Sequence, residues 1–223
     1  MIKKIYDANK TDFVEHHEKP DGINILDYKS SESAGVRSDI RSIIHLINLH
    51  GEDLVGIELG VYRALSHCTI LQNCPNVKTL YGIDFWKSYE DFLDYHYDGS
   101  GSHSHGFLYS KRDAELNKVL AQHHIKYSGC EERSIIYDKD SNEAVKDFED
   151  EFFDFIFLDS YTNIDEAVND LSLWYPKLKT KGIFAGHDWA CPAIEISVNN
   201  FRQTNNIKTR MSVFDDTFVW IKN

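Results

Sequence analysis

Basic residues are scarce in this chain: 24 Lys and Arg stand against 36 Asp and Glu, a formal charge of −12 over 223 residues. That balance repels a phosphate backbone and removes the counterion-release term behind most nucleic-acid affinity, so no nucleic-acid partner is expected. Lys177, Lys179 and Lys181 cluster locally, but they read as a solvated helix end rather than a groove. The cysteines, Cys68, Cys74, Cys130 and Cys191, form neither a Cys-x-x-Cys pair nor a zinc spacing, which fits a reducing compartment. An apolar leader core is missing from the N-terminus, and no window approaches the roughly 18 uninterrupted apolar residues of a membrane span. The expectation is a soluble, cytoplasmic protein with no membrane partner. Internal repeats and long linkers are absent as well.

With 42% hydrophobic and 13% aromatic residues the chain can bury a full core, and its length favours one domain with elaborations. Short apolar runs alternate with helical patterns, the order of βαβ units around a parallel sheet. The spacing predicts strands at Leu54–Glu58, Thr79–Asp84, Ile125–Ser128, Phe152–Asp159 and Gly182–Gly186, and helices at Ser38–Leu49, Asp113–His123 and Ile164–Leu178. At the end, Lys208–Phe214 and Thr217–Lys222 flank Asp215-Asp216, which signals an antiparallel hairpin with a two-residue turn. Residues 1–33 are polar with little periodicity and read as an extension or lid, followed by one domain over 34–223. The Gly/Ser-rich stretch 97–106 reads as a loop beside the ligand edge, and its His103 and His105 as solvated loop residues.

The first strand runs into Glu58-Leu59-Gly60-Val61-Tyr62-Arg63-Ala64-Leu65-Ser66. A dinucleotide fingerprint needs three glycines in such a loop, one of them so that backbone can approach the pyrophosphate. On the Gly-x-Gly-x-x-Gly pattern those slots hold Gly60, Tyr62 and Leu65, and Glu58 places a carboxylate near where a pyrophosphate would lie. A nicotinamide cofactor is disfavoured. S-adenosylmethionine has no pyrophosphate and carries an ammonium and a sulfonium, which an acidic mouth attracts. Asp84, 24 residues after Gly60 at the end of the second strand, is placed to accept ribose hydroxyls. Phe85 beside it is suited to pack on adenine, whereas Tyr62 and Trp86 wall the pocket or sit in the core. Glu58 and Asp84 can instead cap neighbouring backbone.

The runs IELGVYRALS, LYGIDFW, FFDFIFLDS and DLSLWYPKLKTKGIFAGHDW resemble the successive motifs of small-molecule S-adenosylmethionine-dependent methyltransferases, over about residues 54 to 200. The resemblance implies an α/β, Rossmann-like, seven-stranded sheet, mostly parallel with an antiparallel C-terminal strand and helices on both faces. It implies cofactor contacts from Glu58, Gly60, Tyr62, Ser66, Asp84, Phe85 and Asp159, and an adenine loop after the third strand at Gly129-Cys130-Glu131. Where many relatives carry a His after the strand-end acid, this chain has Thr162, and Lys181-Gly182 stands for a paired glycine.

Methyl transfer is an in-line displacement at an activated carbon, so the protein must position the acceptor and handle its proton. Asp159 closes the fourth strand and His187-Asp188 follows the fifth. In metal-dependent relatives such positions hold a divalent cation, which implies Asp159, His187 and Asp188 as ligands for Mg²⁺ or Mn²⁺; His187 replaces the more usual acid. A metal-free route with His187 as base, supported by Asp159, is the rival, and Asp188 as a helix cap the plainer reading. The expected activity is O-methylation of a small hydroxylated acceptor. A nicotinamide-dependent oxidoreductase, or a catalytically silent protein on the same fold, are the alternatives, and a homo-oligomer is compatible with all three.

Overall fold

The computed structural model describes residues 38–86, 111–160 and 164–223. Seven strands form a single sheet in the order β3-β2-β1-β4-β5-β7-β6. These are β1 Leu54–Leu59, β2 Val77–Asp84, β3 Ser134–Asp138, β4 Phe153–Leu158, β5 Leu178–Gly186, β6 Met211–Phe214 and β7 Thr217–Ile221. Strands β1 to β5 are parallel, while β7 is antiparallel to both β5 and β6. The seven-stranded Rossmann-like expectation therefore holds, including the antiparallel C-terminus.

The central strands are apolar throughout because both faces are covered, as a parallel sheet requires. On one face α1 (Arg41–Leu49), α2 (Leu65–Asn73) and α3 (Lys111–Tyr127) bury Ile40, Ile43, Ile44, Ile47, Cys68 and Leu71 against Phe155, Phe157 and Ile183. On the other, α4 (Ser141–Ala144), α5 (Ile164–Trp174) and α6 (Pro192–Thr204) bury Leu171, Trp174, Val198 and Phe201 against Ile156, Leu158, Phe184 and Trp220. Among the described residues no helix is long and apolar enough to cross a membrane.

The hairpin forms at Asp215-Asp216, with φ of 44° and 71°, the left-handed pair that a type I′ turn needs. Because Gly186 pairs with Phe218, this turn stands at the carboxyl end of β5. Helix α5 stops at Trp174, earlier than the periodicity suggests, since Pro176 lies in the short 3-10 turn Tyr175–Lys177 and Leu178 already belongs to β5.

One strand assignment is corrected. Ile125–Ser128 closes α3 instead of forming a strand; Gly129, with φ of 66°, and Cys130 donate their N–H groups back to Lys126 and Ile125, ending the helix. The third strand is Ser134–Asp138, whose Ile135-Ile136-Tyr137 run is flanked by charges on both sides. Residues 1–33, the 97–106 loop with His103 and His105, and Thr162 lie outside the described residues.

Candidate active site

The carboxyl ends of β1, β2, β4 and β5 form one edge. Their backbones are stitched together: Gly60 N–H donates to Ile83 O (2.9 Å), Asp159 N–H to Leu59 O (2.8 Å) and His187 N–H to Leu158 O (2.9 Å). Gly60 has φ of 88°, and a Cβ there would lie 2.2 Å from the carbonyl oxygen of Asp159. Glycine is thus needed at this position for both conformation and room. Tyr62 and Ala64 also adopt left-handed backbone, at φ of 50° and 61°, as does Trp86 at 39°. The loop's special positions are therefore 60, 62 and 64. Leu65, placed in the third glycine slot from the sequence, is the first residue of α2. Strained residues of this kind persist where surrounding structure over-determines them, as at binding sites.

Asp84 over-determines this loop. Its carboxylate accepts the N–H of Tyr62 at 2.7 Å and the N–H of Trp86 at 2.9 Å, and the Trp86 indole N–H donates to the Tyr62 carbonyl at 2.8 Å. Burial pushes the Asp84 carboxyl above its ordinary range, countered in part by the backbone N–H groups of Trp86, Tyr62 and Phe85. The acid is at the edge as expected, with Phe85 half-buried next to it.

Glu58 takes a different place from the acidic mouth read from the sequence. It is fully buried under α2, with one carboxylate oxygen accepting from the Ser66 hydroxyl and the other 3.0 Å from His67 Nδ1. His67 Nε2 lies 2.8 Å from the Ser134 hydroxyl, so a closed polar chain links β1, α2 and β3. A buried carboxylate is costly unless bonded in this way. Its role here is to fix the loop, and Ser66 is bonded into the same chain. His67 was missed because an isolated histidine in a helix gives no signal; Gly82 opposite, where a Cβ would come within 3.2 Å of His67 Cε1, is the complementary mark.

Gly129, Cys130 and Glu131 fall away from the site altogether. They precede β3, at the amino end of the sheet, so they cannot line a pocket at the carboxyl edge. The segment that does follow β3 is Lys139-Asp140-Ser141, with Lys139 N–H donating to Asp84 O and Asp140 capping α4 through Asn142 N–H. Cys130 is buried and shares a hydrogen bond with Cys68 that draws its thiol below the usual range, ahead of the opposing effect of burial.

Asp159, His187 and Asp188 come together as expected. Each offers one ligand atom, and those three atoms lie within 4.8 Å of one another. His187 Nδ1 is 2.9 Å from Asp188 Oδ1 and 3.4 Å from Asp159 Oδ1. Asp188 is held at φ of 58° in the loop before α6. The helix-cap reading of Asp188 gives way to Cys191, the residue immediately before Pro192. The hairpin turn supports this loop, since Asp216 accepts the N–H of Trp189 on its carbonyl (3.0 Å) and the N–H of Ala190 on its carboxylate.

Behind Asp159, Ser160 and Ser141 donate hydrogen bonds to Asp170, at 3.2 and 2.7 Å. Burial pushes the Asp170 carboxyl up to about 6, against those two hydroxyls and with a further push from Asp140 and Glu166. The folded state then holds this proton more tightly than the unfolded chain, so stability falls as pH rises from about 4 to about 6. A shift of this size corresponds to roughly 2–3 kcal/mol. Asp170→Asn is expected to remove that loss: in urea titrations the variant should gain on the native protein between pH 4 and pH 7.5. An unchanged difference between the two pH values would contradict it.

The "Methyltransferase domain" family model matches residues 57–189, more than half of the chain. No curated protein sequence matches. Among solved structures, the O-methyltransferase of Bacillus cereus in complex with SAH superposes with a TM-score of 0.58 at 10% identity, covering 86% of this chain and 84% of that one. Precorrin-6y C5,15-methyltransferase from Geobacter metallireducens gives 0.57 at 11% identity, over 91% and 97%. The O-methyltransferase NovP gives 0.54 at 17% identity, over 82% and 80%. With the sheet order, the left-handed Gly60 loop and the Asp84 acid in place, the chain belongs to the methyltransferase-domain family and is an S-adenosylmethionine-dependent methyltransferase.

Proposed function

We propose that the protein methylates a hydroxyl group of a small acceptor, and that Asp159, His187 and Asp188 hold a divalent cation at the acceptor's side of the edge. The observation that carries this is the convergence of three ligand atoms at the ends of β4 and β5, one strand away from the Gly60 loop. The donor set fits a cation. Two carboxylates and one imidazole, carried by the residues that directly follow β4 and β5, match the ligand preferences of Mn²⁺ better than those of Mg²⁺.

The chain's own residues divide the work along the edge. The loop from Gly60 to Ala64, fixed from below by the Glu58–His67 chain, takes the methionine half of the cofactor, while Asp84 faces the ribose. The backbone N–H groups of Tyr62 and Trp86 take one acceptor position on each Asp84 oxygen, and a carboxylate has about four such positions, so a ribose hydroxyl can be accepted beside them. Asp159 touches the Gly60 backbone on one side and His187 on the other, so it joins the cofactor half to the acceptor half. A bound cation there lowers the pKa of an acceptor hydroxyl and orients it for attack. The net charge of −12 favours a small-molecule acceptor over nucleic acid.

Calorimetric titration with S-adenosylhomocysteine tests the cofactor half. Asp84→Asn, which cannot accept two ribose hydroxyls as a carboxylate does, is expected to weaken binding about 10- to 100-fold, the value of one or two charge-assisted hydrogen bonds. Full affinity in the variant would remove Asp84 from the ribose. Product formation with a panel of phenols, catechols and sugars separates an active enzyme from a silent scaffold.

A further inference from the structure

We infer that Asp39 is a positioning residue for the cation site: it sets the ring of His187 so that Nδ1 faces the gap between Asp159 and Asp188. The inference rests on the metal-assisted reading above.

Asp39 sits in the 3-10 turn Ser38–Ile40 that leads into α1. Its Oδ2 lies 2.7 Å from His187 Nε2, an ion-pair contact on the opposite side of the ring from Asp159 and Asp188. Both ring nitrogens therefore face carboxylate oxygens, at 2.7 Å on one side and at 2.9 and 3.4 Å on the other. A neutral imidazole has one N–H and one lone pair. As an imidazolium the ring pairs with acids on both sides; as a neutral imidazole with its proton on Nε2, on the Asp39 side, it leaves the Nδ1 lone pair facing Asp159 and Asp188, where a divalent cation would take the place of the second proton. A carboxylate behind a metal-binding histidine is the usual device for choosing the tautomer and raising the basicity of the ligand nitrogen.

The turn that carries Asp39 is built to stay in place. Ile40 is fully buried and packs with Ile43, Ile44 and Ile47 of α1 in the core. The Thr217 hydroxyl donates to the Asp39 carbonyl at 3.0 Å, and Arg41 pairs with Asp215 at 2.6 Å, so Asp39 itself and Arg41, two residues on, are tied to the β6–β7 hairpin. That same hairpin supports the His187 loop through Asp216. Asp39 and His187 are thus held from one common element, and the turn before α1 becomes part of the site.

Manganese titration of the full chain, read by the loss of the free Mn²⁺ signal in electron paramagnetic resonance, tests this. The native protein is expected to bind one Mn²⁺. Asp39→Asn keeps the shape but removes the charge, and should weaken Mn²⁺ binding 10- to 100-fold, the range for outer-shell carboxylates. Asp39→Glu should recover part of it. Asp165→Asn removes the same charge at the exposed start of α5, after β4 on the same edge of the sheet, from a residue that bonds neither His187 nor the hairpin; it should change the affinity less than about 2-fold, which separates positioning from long-range attraction. S-adenosylhomocysteine binding without metal should be unaltered in all variants. If the native protein binds Mn²⁺ and Asp39→Asn binds it equally well, the inference is overturned and the metal site stands. If the native protein binds no Mn²⁺, the metal-assisted reading falls and takes the inference with it.

Discussion

Gly60→Ala is expected to lower the melting temperature by about 10 °C and to abolish measurable binding of S-adenosylhomocysteine. Two costs add at this position. A left-handed φ of 88° is one that alanine adopts at a penalty of about 1–2 kcal/mol. The new Cβ would also lie 2.2 Å from the Asp159 carbonyl oxygen, 2.5 Å from its carbon and 2.8 Å from Ser160 Cα, all backbone atoms that no rotamer change can move. Relief requires β1 and β4 to part at their carboxyl ends, an overpacking cost of about 1–3 kcal/mol. The sum is roughly 2–5 kcal/mol, and each kcal/mol moves the midpoint of a domain this size by about 2–4 °C. The hydrogen bond from Asp159 N–H to Leu59 O lies in the path of that displacement. Cofactor binding is lost beyond what stability predicts, because the clash falls between the loop and the acid that the proposed reaction uses. Thermal melts with calorimetry at 15 °C separate the two effects, and a variant that melts early yet binds normally when folded would contradict the second.

Much of this edge was legible in the sequence because strand ends are local signals. Apolar runs that stop at Asp84, Asp159 and Gly186 locate the edge by themselves, and parallel βαβ order forces those ends to one side of the sheet. The hairpin was equally local, since two consecutive Asp between alternating apolar runs suit a turn with two left-handed residues. The errors share another cause. Ile125 to Ser128 reads as a strand by its residues, but it continues the helical burial of Ala121 and His124 in α3, and the true strand at Ile135 to Tyr137 is too short and too flanked by charge to stand out. That slip of about nine residues moved the adenine loop to the wrong end of the sheet, as a strand displaced in sequence reverses which loop meets the ligand. Glu58 shows a different limit. Periodicity places a side chain on a face but not its partners, and the partners that bury Glu58, Ser66 and His67, follow a left-handed turn that no alternation pattern encodes. Asp39 was invisible for the plainest reason: its contacts, His187 and Thr217, are long-range, created only when α1 docks beside the hairpin.

Asp159→Asn is expected to lower the turnover of methyl transfer by about 10²- to 10⁴-fold while the folded protein keeps its melting temperature within a few degrees. The side chain is only 12% exposed but is not part of either apolar core, and the substitution preserves shape. What changes is charge at the point where Gly60, His187 and Asp188 meet. If a divalent cation assists, the loss should be mirrored by adding a chelator to the native enzyme and reversed by Mn²⁺, and Asp188→Asn should fall in the same range, since each ligand removed weakens the same ion. If His187 works instead as a general base, chelation leaves the native rate unchanged, His187→Gln loses nearly all activity, and Asp188→Asn loses little, because Asp188 is 45% exposed and its partner can be replaced by water. The two mechanisms thus predict opposite rankings for Asp188→Asn and for chelation, measured with whichever acceptor of the panel is methylated. Retention of more than a tenth of native turnover by Asp159→Asn contradicts both, for in each the acid at the end of β4 faces the group that handles the acceptor's proton.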